Sequence, residues 1–303
     1  MGRAARQLNL SGVFAAAVTP NRPGTLDIDY SALMDQLDFL AGEKVSGICL
    51  LGSTGEFLNY SLAERQRAVY LGTRRSRVPV IVGVGHTTLT GALQLAGEAI
   101  DAGADGILLM PPCFFRYPQR DIEEFCRIFA QEIGDAVPIL LYNVPAYTSP
   151  IELPTVKRLL DSGRFAGIKD SSGDPEFLQS LLGLRSEQAF ALFVGHDRLA
   201  AGALRGGADG VFSGCAAAIP ELVVAVAKAG GKAEILNRYL EEFVAKLECF
   251  PAPIVIKQAL GLRGQKPGEF AIPFDAGRTV ELRQFSDWFT AWWPAVLSAT
   301  RVP

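Results

Sequence analysis

Eight short apolar runs, each followed by a longer segment of helical periodicity, limit what this chain can fold into more than any other feature. The runs cover residues 12–18, 47–52, 78–85, 106–112, 138–145, 165–172, 190–197 and 210–217. Each is short enough for one strand and apolar along its length, as a strand buried on both faces must be. Between them, Leu33, Leu37 and Leu40 recur at helical spacing over residues 30–40, and Ser61 with Glu64 has the form of a capping box. Strands alternating with helices predict parallel βα units. A short repeat agrees: Gly103, Ala104, Asp105 and Gly106 reappear as Gly207, Ala208, Asp209 and Gly210. In both places a helix is expected to close on the first glycine and a strand to begin.

Eight such units predict an α/β fold, a (β/α)8 TIM barrel, over residues 1–225. The strands stop after about residue 219. Residues 221–228, 233–247, 253–260 and 280–299 read as helices, so 226–303 form a C-terminal helical extension packed on the barrel. The competing fold is an open doubly wound sheet. That fold carries a Gly-rich turn after its first strand. Here the first run ends in Val18, Thr19 and Pro20, and Gly83-Val84-Gly85 lacks the third glycine.

Composition excludes several classes. At 49% apolar residues the chain can bury a large core, and its net charge of −3 includes no long run of one sign. A nucleic-acid partner is not expected, because phosphate contacts need clustered cations. The densest basic spot, Arg74, Arg75 and Arg77, reads as the solvated end of a helix. No apolar stretch reaches the roughly 18 residues of a membrane helix, and the apolar run near the N-terminus is too short for a signal peptide. Cys49, Cys113, Cys126, Cys215 and Cys249 form no CxxC pair. Reduced thiols and a cytoplasmic location are the expectation. His86 and His196 are the only histidines, too few for the usual His-based zinc centre, so no metal is expected.

Barrel enzymes work at the carboxyl-terminal ends of their strands. Lys169 is the only lysine within any of the eight runs. Burial favours a neutral amine, and a neutral amine attacks carbonyl carbon. The alternative is a lysine ion-paired inside the barrel. Tyr142 ends the preceding strand, close enough for a phenol to move protons beside that amine, or simply to pack and bind backbone. Gly52, Ser53, Thr54, Gly55 and Glu56 end the second strand. Glycines, two hydroxyls and free amides there make a seat for a carboxylate. Glu56 is read as a residue that holds the loop through hydrogen bonds, with a functional acid as the alternative. An amine, a proton shuttle and a carboxylate seat are the parts that a 2-oxo acid imine needs.

At Gly52–Glu56, at Tyr142, Asn143, Val144 and Pro145, and at Gly167, Ile168, Lys169, Asp170, Ser171 and Ser172, the sequence resembles the dihydrodipicolinate synthase/N-acetylneuraminate lyase family of class I aldolases. The likeness runs from about Gly12 to Leu260. It implies an imine between Lys169 and pyruvate, Tyr142 as acid/base, Ser53 and Thr54 binding the carboxylate and orienting Tyr142, and Gly195 and Val211 near the pyruvate pocket. It further implies a homotetramer built from dimers, an aldehyde as second substrate, and no metal or organic cofactor.

Two positions depart from the synthases. Where they carry an arginine that binds the second substrate's carboxylate, this chain has Tyr147, one hydroxyl in place of a charged fork. Where they carry a tyrosine that relays protons across the dimer, Phe114 is the match. Both point to a polyhydroxy or aromatic aldehyde, and so to an aldolase or dehydratase acting on a 2-oxo-3-deoxy sugar acid. Three other readings stay open: dihydrodipicolinate synthase itself, a non-catalytic barrel that binds a 2-oxo acid, and a metal-dependent aldolase.

Overall fold

Each apolar run contains a strand, and each strand is shorter than its run. The strands are β1 (Gly12–Ala16), β2 (Gly47–Leu50), β3 (Val80–Gly83), β4 (Gly106–Leu109), β5 (Ile139–Asn143), β6 (Gly167–Asp170), β7 (Ala191–Val194) and β8 (Gly210–Ser213). All pair in parallel in chain order, and β8 closes on β1. The structure, a computed structural model, describes residues 8–301. The N-terminal residues that bear on a signal peptide, Arg3 and Arg6 among them, lie outside the described residues.

The helices that wrap the strands are α1 (Tyr30–Gly42), α2 (Leu62–Arg75), α3 (Leu89–Ala102), α4 (Gln119–Ile133), α5 (Leu153–Asp161), α6 (Pro175–Leu184), α7 (Ala200–Arg205), α8 (Cys215–Ala218) and α9 (Pro220–Lys228). The last two are one barrel helix in two pieces, because Pro220 has no N–H to continue α8 and sits at the start of α9. Ser61 accepts from the Glu64 amide while Glu64 accepts from the Ser61 amide, so the capping box opens α2 as expected. The basic spot at the end of α2 is a solvated face. Arg75 pairs with Asp38, and Arg74 lies 4.5 Å from the Tyr70 ring centre.

The internal repeat has a chemical cause. Gly103 and Gly207 both have positive φ, 90° and 96°. After each, the next amide bonds back into the helix, Ala104 to Ala99 O and Ala208 to Ala203 O, both at 2.9 Å. Asp105 and Asp209 then each accept one backbone N–H from the preceding strand, Val80 and Leu192, both at 2.8 Å. The same four residues thus stop a helix and lock the incoming strand to its neighbour.

Beyond the barrel lie α10 (Glu234–Leu247), α11 (Ile254–Leu262) and α12 (Ala276–Thr300). Phe243 on α10 packs against Phe285, Phe289 and Trp292 on α12. Arg263, just after α11, pairs with Glu221 of α9 and lies between the rings of Phe39 and Trp293. The barrel interior is closed below its mouth by Phe14, Phe193 and Phe212, whose ring centres lie 4.8–5.4 Å apart. Burying a ring of this size contributes about 2–3 kcal/mol. No helix among the described residues is long and apolar enough to cross a membrane.

Candidate active site

Tyr142 and Lys169 are register partners on β5 and β6, so their side chains leave the sheet on the same side. Both are buried, Lys169 with 3% of its surface exposed. Lys169 Nζ lies 4.1 Å from the centre of the Tyr142 ring and 5.5 Å from that of Phe212. Among the described residues, Lys169 takes part in no ion pair. The ion-paired alternative is therefore not what the fold builds. The acid next in sequence, Asp170, is engaged elsewhere. It accepts from Asn143 Nδ2 at 2.8 Å and from Ser172 Oγ at 2.8 Å. Burial pushes its carboxyl above the usual carboxylate range, although these donors pull the other way.

The second-strand loop completes the group. Ser53–Gly55 is a single 3₁₀ turn, and Ser53 Oγ lies 3.0 Å from Tyr142 Oη. Leu51 and Glu56, which bracket Gly52–Gly55, both hold left-handed φ, 56° and 51°. Such a conformation costs about 1–2 kcal/mol for a residue other than glycine. Two contacts hold the loop against that strain: Thr19 Oγ1 donates to Gly55 O at 2.7 Å, and Glu56 meets Lys257 Nζ of α11 at 2.6 Å. Glu56 thus ties the loop down by an ion pair with a helix outside the barrel, where hydrogen bonds within the loop were expected.

These residues open into one cavity of about 240 Å³, lined by Ser53, Thr54, Tyr142, Tyr147, Lys169 and Gly195 among others. Two expected residues lie elsewhere. Gly52 caps the turn without lining the cavity. Phe114, expected at a dimer interface and not in the cavity of its own chain, is 83% exposed and packs edge-on to Phe115. Val211 is replaced in the wall by Phe212. Successive strand residues face opposite ways, and Phe212 shares the inner face with Phe193 and Lys169, which turns Val211 toward the helices.

The cavity also recruits Ser171, His196, Asp197 and Glu248, which the sequence did not single out. Asp197 accepts from Ser213 Oγ and, at 3.1 Å, from the Cys215 amide. Glu248 follows the end of α10 and pairs with Arg198, which holds its carboxyl below the usual range. Asp197 and His196 follow a strand end, a signal that the barrel rule contains; Glu248 is brought in only by packing of the extension. Partial burial and nearby Tyr142 push the Tyr147 phenol up. Among the described residues, Lys169 is the only lysine or arginine in the lining. Arg116 donates to Pro145 O and Thr148 O, on either side of Tyr147 in the chain. A second, more apolar hollow shares Ser53, Tyr147 and Ala252 and is walled by Phe57, Leu58, Phe270 and Ile272. Among the described residues, no three His, Cys, Asp or Glu side chains converge as a metal would require.

A parallel barrel with a buried amine beside a phenol at its carboxyl-terminal mouth is the architecture of a Schiff-base lyase. The chain belongs to the dihydrodipicolinate synthetase family, whose model matches residues 9–288. It is 37% identical over 223 residues to a DapA-like lyase of Chloroflexus aurantiacus, covering 71% of this chain and 73% of that one. It is 33% identical over 270 residues to a 4-hydroxy-tetrahydrodipicolinate synthase of Methanothrix thermoacetophila, covering 86% and 90%. Among solved structures, a prophage protein of the dihydrodipicolinic acid synthase family from E. coli K12, in complex with pyruvate, superposes with a TM-score of 0.85 at 25% identity, covering 93% and 98%.

Proposed function

We propose that this lyase is a pyruvate-dependent aldolase or dehydratase acting on a 2-oxo-3-deoxy sugar acid, with Lys169 as the imine-forming residue. The observation that carries the lysine's role is its pairing with Tyr142 across β5 and β6 with no carboxylate on its nitrogen. Lys169 attacks the C2 carbonyl, and loss of water gives the imine. Tyr142 accepts the C4 hydroxyl proton, the C3–C4 bond breaks, and its electrons move into the imine to leave an enamine. The aldehyde departs; protonation at C3 and hydrolysis release pyruvate. A dehydratase uses the same imine and expels a hydroxyl instead. Ser53, bonded to Tyr142, fixes the phenol, and the turn amides with Thr54 seat the substrate carboxylate.

The sugar-acid reading rests on the outer wall. A second carboxylate there would find Asp197 and a Glu248 already matched by Arg198, and, among the described residues, no lysine or arginine in the lining besides the imine-forming Lys169. Burying an unpaired charge is costly, so a neutral aldehyde fits better than aspartate semialdehyde. The relatives named as synthases favour the other reading, condensation of pyruvate with aspartate semialdehyde. Two measurements test both. Borohydride reduction with pyruvate should add mass at Lys169, and an adduct elsewhere removes the mechanism. Turnover of 2-oxo-3-deoxy acids should exceed that of pyruvate with aspartate semialdehyde; the reverse order establishes the synthase. Tyr142→Phe should slow turnover by about 10²–10⁴, and a normal rate would free Tyr142 of its role.

A further inference from the structure

We infer that Arg116 is a positioning residue for the second substrate: it clamps the turn that carries Tyr147, and through that ring sets how tightly the cavity holds the aldehyde. This rests on the imine chemistry proposed above. Tyr147 lines the cavity with Tyr142 and Lys169, yet 52% of its surface is exposed, so packing alone does not fix the ring. Its backbone lies in a turn just after β5, in which the Tyr147 and Thr148 amides both donate to Val144 O, at 3.0 and 3.2 Å. Arg116 Nη1 donates to Pro145 O at 3.3 Å and to Thr148 O, so one guanidinium joins the two ends of the segment that holds Ala146 and Tyr147. Arg116 is absent from the cavity lining. Among the described residues it makes no ion pair, and hydrogen bonds from a charged donor are the stronger kind.

The remaining contacts between the two loops leave this task to Arg116. The loop between β4 and α4 is fastened to the chain beyond Tyr147: Cys113 bridges Thr148, the Tyr117 amide donates to Ser149 Oγ at 2.6 Å, and Gln119 Nε2 donates to Pro150 O at 2.8 Å. Among the described residues, only the Arg116 bond to Pro145 O reaches from that loop to the part of the turn that precedes Tyr147. Cys113 and Arg116 both meet Thr148, so the loop folds back between them, and Phe114 bears the left-handed φ of 84° that this requires. Without the guanidinium the far limb stays attached and the turn loses its brace. Tyr147 then gains freedom, while Tyr142 and Lys169 keep their places within β5 and β6.

Condensation of pyruvate with glyceraldehyde, measured beside borohydride trapping of the pyruvate adduct, separates the two substrates. Arg116→Met keeps the reach of the side chain without its donors. It should raise KM for glyceraldehyde by about tenfold, the size of one hydrogen bond's contribution. Both kcat and the rate of adduct formation at Lys169 should stay within about twofold, because only binding of the aldehyde is weakened. Arg116→Lys keeps the charge and a donor and should recover part of the loss; should Arg116→Met fail to fold, it carries the same comparison. An arginine that acts through Tyr147 has nothing to act on once that ring is gone. Tyr147→Ala combined with Arg116→Met should therefore bind glyceraldehyde no worse than Tyr147→Ala alone. Additive losses, an unchanged KM or a slower adduct in a folded variant overturn the inference. So does a wild-type protein that traps pyruvate at Lys169 and does not condense glyceraldehyde. Absence of the adduct at Lys169 in the wild-type protein instead removes the imine chemistry, and this inference with it.

Discussion

Gly195 keeps Lys169 in place by having no side chain. In Gly195→Ala the new methyl would overlap Lys169 Cε and Ser171 Oγ, both of which can swing away. The fold should tolerate the change, while the amine leaves its place over the Tyr142 ring. Displacement of about 1 Å in a reacting group costs about 10²-fold. The variant should therefore keep its melting temperature within a few degrees and lose about that factor in the rate of borohydride-trapped adduct; an unchanged rate would show that the amine has room to spare. Asp170, its neighbour, gives a pH signature. Burial raises its carboxyl above the ordinary value of 3.8, so the folded chain binds this proton more tightly than the unfolded one. Its contribution to stability is then greatest below 3.8, falls as pH rises toward the folded value, and is level above it. Asp170→Asn keeps the Asn143 and Ser172 contacts without the charge. The urea midpoint of wild type relative to the variant should decline through that window; a difference that rises with pH would reverse the sign argued here.

At the scale of elements, the strands were legible and their facing was not. A strand buried on both faces has no alternation to read, so nothing in residues 210–217 tells that Phe212 and not Val211 faces the cavity. Lys169 escaped this ambiguity because a charged residue in an apolar run stands out. The runs exceeded the strands because they include the outgoing turns that carry Ser53, Ser171 and His196. Nor does any spacing reveal that Lys257 of α11 meets Glu56 beside the Ser53 turn. That pair ties an outside helix to the site's loop, and Lys257 also donates to Glu269 O at 3.0 Å. Lys257→Met leaves Glu56 buried without its cation, which should cost about 3–5 kcal/mol, and should lower turnover through the loop. Adding Glu56→Gln removes the stranded charge. The double variant should be more stable by chemical denaturation than Lys257→Met alone; if the two losses simply add, the pair is not coupled.

For the whole molecule, the issue is whether the helical extension is a separate body or part of the barrel's cooperative unit. The site itself argues for the second. Its wall includes Val244 and Leu247 of α10, Glu248 just after it, and Ile256 of α11. Arg263 joins α9 to the rings of Phe39 and Trp293, on α1 and α12. The chain carries its own probes. Its three tryptophans, Trp288, Trp292 and Trp293, all lie on α12, so tryptophan emission reports the extension and circular dichroism reports chiefly the barrel. Coincident transitions by the two probes are the mark of all-or-none unfolding. We expect the two denaturation curves to coincide. An emission change that precedes the loss of ellipticity would make residues 226–303 a domain of their own. Trp292→Ala sharpens the comparison. It empties a site packed by Phe243, Trp288 and Phe289, removes the bond to Glu242, and should cost about 3–5 kcal/mol. In a single cooperative unit that loss lowers both midpoints equally, whereas in two units it moves the emission midpoint alone.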